Sequence, residues 1–127
     1  MTKDGKTLLP SVGNTKTLLV IPEGVTELAR NALADQRAAK AVVVPTSVKR
    51  IGAGAFPAGM VNDDFKSIFY KGTKAEWKNI IINEWNDFEL KRVTVYFYKT
   101  TKPSMFENTW QYAADGVTPK ITHKSIF

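Results

Sequence analysis

The chain has 127 residues, 43% of them hydrophobic, with 18 Lys and Arg against 12 Asp and Glu, for a net charge of +6. This is enough apolar material for one small folded domain and argues against disorder along the whole length. Cysteine is absent, which excludes disulfides, thiolate nucleophiles and zinc–thiolate centres; no run approaches the ~18 apolar residues of a membrane-spanning helix, and residues 1–7 lack the apolar core of a signal peptide.

In chain order, Asp4-Gly5-Lys6-Thr7-Leu8-Leu9 has the look of a hairpin or repeat whose beginning is missing. The next segment recurs. Leu19 to Leu33 aligns without a gap on Val42 to Phe56, pairing Ile21 with Val44, Pro22 with Pro45, Val25 with Val48, Leu28 with Ile51 and Leu33 with Phe56. An echo in the twenties of residues indicates stacked units rather than a closed globule. Within each unit, a β-branched run such as Val42-Val43-Val44 predicts a short strand, and the following Pro ends it because it has no N–H to give to a ladder. Pro22-Glu23-Gly24 reads as a type I turn with Pro second and Gly fourth. Val25 and Leu28, or Val48 and Ile51, return to the core as a second short extended piece. Gly52-Ala53-Gly54-Ala55-Phe56 is a tight bend closed by one large plug. Stacking such units pairs their strands in parallel and lines up the plugs.

A third, degenerate unit begins at Ser67-Ile68-Phe69-Tyr70, after an insertion around residues 60–64. Thr73-Lys74-Ala75-Glu76 is a capping box that opens a helix predicted over 73–82, with Trp77, Ile80 and Ile81 on one face. Val93 to Tyr98 alternates as a fourth strand. The remainder, 99–127, is rich in turn residues and is expected to be an irregular cap or the start of a linker, after a stacked region over 1–98.

The units Ile21-Pro22-Glu23-Gly24-Val25 and Val44-Pro45-Thr46-Ser47-Val48-Lys49-Arg50-Ile51-Gly52-Ala53-Gly54-Ala55-Phe56 resemble the BspA-type leucine-rich repeat, whose unit reads roughly I-P-x-x-V-x-x-I-G-x-x-A-F. Tyr70-Lys71-Gly72-Thr73 followed by Trp77 and Ile80 looks like that family's closing element, and Asn108-Thr109-Trp110-Gln111-Tyr112 with Asp115-Gly116 like its tail. The first unit departs from the pattern at Leu28-Ala29-Arg30 and Leu33. The resemblance covers about residues 4–116. It implies an α/β repeat fold, a short leucine-rich-repeat solenoid with a parallel strand row, mostly β and turns with one short helix. It further implies a non-enzymatic adhesion or protein-binding module of a bacterial surface or secreted protein, whose partner is a protein or a host or extracellular-matrix ligand. It implies no catalytic residue and no cofactor. The expected location is the cell surface or outside the cell if the chain is part of a longer protein, and the cytoplasm if Met1 is the authentic start.

The chemistry-bearing residues add little to an enzymatic reading. His123, the only His, has no nucleophile placed to pair with it, Ser125 being too close in sequence, and reads as a solvent-exposed bystander. Asp63, Asp64, Glu84, Asp87 and Glu89 lack the alternate spacing of a calcium loop. Lys71-Gly72-Thr73 lacks the preceding glycine of a phosphate loop. Residues 36–62 hold Arg37, Lys40, Lys49 and Arg50 and no acid, and Lys66, Lys71, Lys74 and Lys78 follow. A nucleic-acid site would interleave such charge with stacking aromatics, whereas these aromatics fall at core-periodic positions, which argues against nucleic acid. The strongest candidate is a row. If Val42 and Val44 face inward, then Val20, Val43, Phe69 and Tyr96 face outward, with Thr94 and Tyr98 beside them, and parallel stacking aligns them as a partner-binding surface. The bland reading is that the row is covered by the insertion or by Trp110 and Tyr112. Two other functions stay open, a structural C-terminal cap with no ligand and a weak nucleic-acid or anion binder using the basic face.

Overall fold

The computed structural model describes residues 1–11, 15–57, 64–83 and 93–125. Among these residues ten short strands and one helix follow one another as β1 (Thr7–Leu8), β2 (Leu18–Val20), β3 (Glu27–Leu28), β4 (Ala41–Val44), β5 (Arg50–Ile51), β6 (Ser67–Tyr70), α1 (Lys74–Lys78), β7 (Ile81–Ile82), β8 (Thr94–Tyr98), β9 (Thr109–Tyr112) and β10 (Pro119–His123). The chain alternates between two sheets. One has the order β1-β3-β5-β7 and the other β10-β9-β8-β6-β4-β2. Every pairing is parallel except β9 with β10, which is antiparallel. The described residues are thus mostly β, with two parallel strand rows and a single short helix.

The register of the larger sheet runs straight across. Leu18 lies beside Ala41, Ala41 beside Ser67, and Ser67 beside Thr94, so successive strands start 23, 26 and 27 residues apart (18 to 41, 41 to 67, 67 to 94). Leu19, Val42, Ile68 and Val95 form one column, and the first three are buried. The main core lies between the sheets and joins this column to Val25, Leu28, Val48, Ile51 and Phe56, all fully buried, and to Leu33. Phe56 stacks on Phe65 with ring centres 5.9 Å apart.

Three expectations change in detail. The turn after β2 spans Pro22 to Val25, closed by the Val25 amide on the Pro22 carbonyl at 3.3 Å. Gly24 therefore stands third rather than fourth, at φ +93°, the left-handed position of a type II turn that favours glycine. The helix covers only Lys74–Lys78. Its capping box is present, with the Glu76 amide on Thr73 Oγ1 at 3.2 Å and the Thr73 amide on Glu76 Oε1 at 3.0 Å. It stops at Asn79 because the β-branched Ile81 and Ile82 bond to β5, the Ile81 amide donating to Lys49 at 3.0 Å. The tail is not irregular. Residues 109–112 and 119–123 are strands that continue the larger sheet, because the Asp115 carboxylate organises the turn between them and turns a predicted linker into a hairpin.

Candidate functional site

The outward row exists as a register but not as an open surface. Val20 lies beside Val43, Val43 beside Phe69, and Phe69 beside Tyr96. Val20 remains 59% exposed, but Val43, Phe69 and Tyr96 keep only 1%, 6% and 3% of their surface in water. Together with Trp110 they form a second apolar cluster, flanked by Leu18, Ala41 and Tyr112. Phe69 has both Tyr96 and Trp110 at 5.5 Å between ring centres. Of the remaining predicted contacts, Thr94 is half-buried and Tyr98 is 37% exposed. Burial pushes the Tyr96 phenol above its ordinary pKa, opposed by a hydrogen bond with Thr94. The middle of the row is therefore core, and the reason is Trp110.

Trp110 lies on β9, between β8 and the edge strand β10, and is fully buried. In the preceding step of the ladder, the Lys71 amide donates to the Val44 carbonyl at 3.0 Å. One strand later, the Tyr98 amide goes to Gly72 at 3.3 Å, and the Tyr70 carbonyl receives the Trp110 indole N–H at 2.7 Å. The indole stands where a ladder donor would be, so the polar atom of a large ring is satisfied in a dry place. Tyr98 and Tyr112 then pack on Trp110 at 5.2 and 5.0 Å, edge to face.

Beside this junction is a cleft of about 450 Å³ between the start of α1, the end of β8 and the loop into β9. Phe97, Tyr98 and Phe106 are its apolar walls, and Phe106 is 65% exposed. Its polar side is an ion pair, Lys99 Nζ to the Glu107 carboxylate at 2.8 and 2.9 Å. Lys99 first, then the Ser104 amide, hold the Glu107 carboxyl below its ordinary pKa. Lys74, at the rim, is exposed and has no ion-pair partner among the described residues. Sequence reasoning missed this site because it read 99–127 as irregular. A signal was present: Ser104-x-x-Glu107 repeats the spacing of Thr73-x-x-Glu76, and its Ser104 amide does bond to Glu107 Oε1 at 3.2 Å.

His123 is not a bystander. It is half-buried, and its Nδ1 lies 2.7 Å from the Glu107 carbonyl, while the Ser125 amide donates to Asn108 Oδ1 at 2.7 Å. Both tie the last strand to the loop rather than facing a substrate. Among the described residues no group of three His, Asp or Glu side chains is gathered as a metal site; Asp63, Glu84, Asp87 and Glu89 lie outside the described residues. The basic region is partly neutralised. Arg50 pairs with Glu27 at 3.6 Å and Arg37 with Asp35 at 3.7 Å. Lys71 is hydrogen-bonded to Glu23, which first raises its pKa, and Tyr112 adds to that. Among the described residues no helix is long and apolar enough to cross a membrane. No protein-family model, curated protein or solved structure matches the chain.

Proposed function

We propose that the chain is a non-enzymatic, protein-binding module of leucine-rich-repeat type, a short solenoid of the BspA kind displayed at a bacterial surface or secreted. The repeated apolar pattern, the strand spacing of 23 to 27 residues and the straight parallel register support the solenoid reading. The observation that carries the binding reading is the cleft. Phe106 stands mostly in water beside Tyr98, over an ion pair, with the Lys74 ammonium at the rim. A concave apolar site with a few oriented polar groups is what a partner side chain needs, and an exposed aromatic anchor is a frequent source of binding energy. The partner's complementary element is an apolar side chain next to an acid, since the molecule carries +6.

Selection of binders from a displayed random-peptide library against the intact chain tests this. Phe106→Ala weakens the selected peptides by about tenfold or more, and Lys74→Glu weakens the acidic ones, with the melting temperature unchanged in both. Peptides that bind equally well to Phe106→Ala overturn the assignment. One observation favours a second reading, a structural cap. The β9–β10 hairpin ends the sheet with Pro119 at the start of the edge strand and a bulge between Ile121 and His123. Both are devices that stop further pairing.

A further inference from the structure

Phe106 stands on the loop into β9, and its neighbour Glu107 ties that loop to two strands. The Glu107 carboxylate accepts Lys99 Nζ, just after β8, at 2.8 and 2.9 Å, and the Ser104 amide at 3.2 Å. The Glu107 carbonyl lies 2.7 Å from His123 Nδ1 on β10. A carbonyl only accepts, so Nδ1 carries the proton and donates. The next residue is tied in the same way. Asn108 Oδ1 accepts the Ser125 amide at 2.7 Å, and the Asn108 carbonyl accepts the Phe97 amide at 2.9 Å. Within the loop the Glu107 amide donates to the Ser104 carbonyl at 3.2 Å. The backbone on both sides of the Phe106–Glu107 step is thus fixed, on one side from within the loop and on the other from β10.

The bulge in β10 serves this contact. Ile121 lies opposite Trp110 and His123 opposite Thr109, so Thr122 is one residue more than β9 supplies. In an unbroken strand Ile121 and His123 would share a face, yet Ile121 is exposed and His123 half-buried. A bulge bends its strand and re-aims the side chains beside it. Here Thr122 Oγ1 meets Thr109 Oγ1 at 2.8 Å, and the His123 ring is aimed at the loop. We infer that His123 is a positioning residue for the cleft. Through the Glu107 carbonyl it holds the backbone that carries Phe106, and so sets the gap between Phe106 and the walls made by Phe97 and Tyr98. This rests on the reading of the cleft as the binding site. A wall held in place meets a side chain of matching size without an ordering cost. A wall that is released follows smaller and larger side chains alike and holds each less tightly, so His123 sets the size preference of the cleft as well as its affinity.

The probe is the tightest peptide from the displayed-library selection that Phe106→Ala releases, synthesised with Leu and with Trp at its apolar anchor position. Two variants of the intact chain separate the donor from the ring. His123→Phe keeps a ring and removes the donor, whereas His123→Asn gives up the ring and places an amide N–H about where Nδ1 stands. His123→Phe should lower affinity by about three- to tenfold, mainly through faster release, and should bring the Leu and Trp forms closer together in affinity. In the free chain it should speed hydrogen exchange at the Glu107 amide. His123→Asn should stay within about twofold of the natural chain and keep its size preference. His123→Ala beside His123→Asn repeats the comparison without a ring, so the result does not depend on the phenyl variant folding. If the peptide needs Phe106 but binds the variants without a donor as tightly and as selectively as the natural chain, the inference is overturned and the cleft reading stands. Equal losses with and without the donor also overturn it, since the ring's packing would then be the cause. If Phe106→Ala releases no selected peptide, the cleft reading itself fails and the inference falls with it.

Discussion

Asp115 holds the turn between β9 and β10 by accepting the Val117 amide at 2.9 Å and the Thr118 amide at 2.8 Å, with the Thr118 hydroxyl as a third donor. All three act on the ionised carboxylate, so they favour it, and the Thr118 side chain has the largest effect. The pKa falls from 3.8 to about 2. The sign follows from linkage: a depressed folded pKa means that the turn's stabilisation is complete above the unfolded value near 3.8 and is lost only as the pH falls through about 2. Carboxyl-carbon NMR should give a midpoint near 2 for Asp115, and a midpoint near 3.8 contradicts the geometry. Residue chemistry of this kind is legible in outline, because Asp-Gly marks a turn. What the turn joins is not, because Pro119 to His123 pairs with β9 through main-chain atoms that any residue carries.

Among the elements, the close fit of neighbouring turns is set by one glycine. A Cβ on Gly52 would lie 2.6 Å from the Arg30 amide nitrogen and 2.8 Å from the Leu28 carbonyl oxygen. The Gly52 amide already donates to that same oxygen at 2.7 Å. The obstacle is backbone, so no rotamer relieves it. Gly52→Ala should cost about 1–3 kcal/mol through a forced backbone shift, read as a lower denaturant midpoint at constant slope. Stability equal to the natural chain would mean that the two turns are not in contact. The aligned position in the first unit is Ala29, whose amide bonds to Leu8, so the echo between units does not reveal which copy needs the glycine. Strands were easier to read. The β-branched run at 42–44 and the alternation at 93–98 place β4 and β8 to within a residue. The helix was overextended because Ile80 and Ile81 satisfy a helical period and a strand equally, and only Asn79 and the edge of β5 decide between them.

At the scale of the whole molecule the described residues form two apolar clusters, one between the sheets and one on the outer face of the larger sheet. Inward and outward positions of β4 and β6 are buried alike. Alternation along a strand shows which residues share a face, but not whether that face meets water. Here the answer depends on Trp110, 40 residues from the carbonyl it bonds, and no local pattern carries that information. Phe69→Ala with Tyr96→Ala should therefore destabilise rather than merely weaken binding. A buried Phe→Ala change costs about 3–5 kcal/mol, and the second change is not additive because the rings touch. The melting temperature should fall by about 10 °C or more, whereas an unchanged value would restore the row as open surface.

The straight register has a mechanical side. Strands β2, β4, β6 and β8 of the larger sheet are separated by 23 to 27 residues of chain, from Leu18 to Ala41 and from Ser67 to Thr94, yet neighbours lie only ~4.8 Å apart. A load applied along the stack that detaches one strand pair gives up that small spacing and releases roughly 80–90 Å of extended polypeptide at ~3.4 Å per residue. The molecule thus stores contour length in discrete parcels, and as part of a tether it would lengthen stepwise under tension, one parcel at a time.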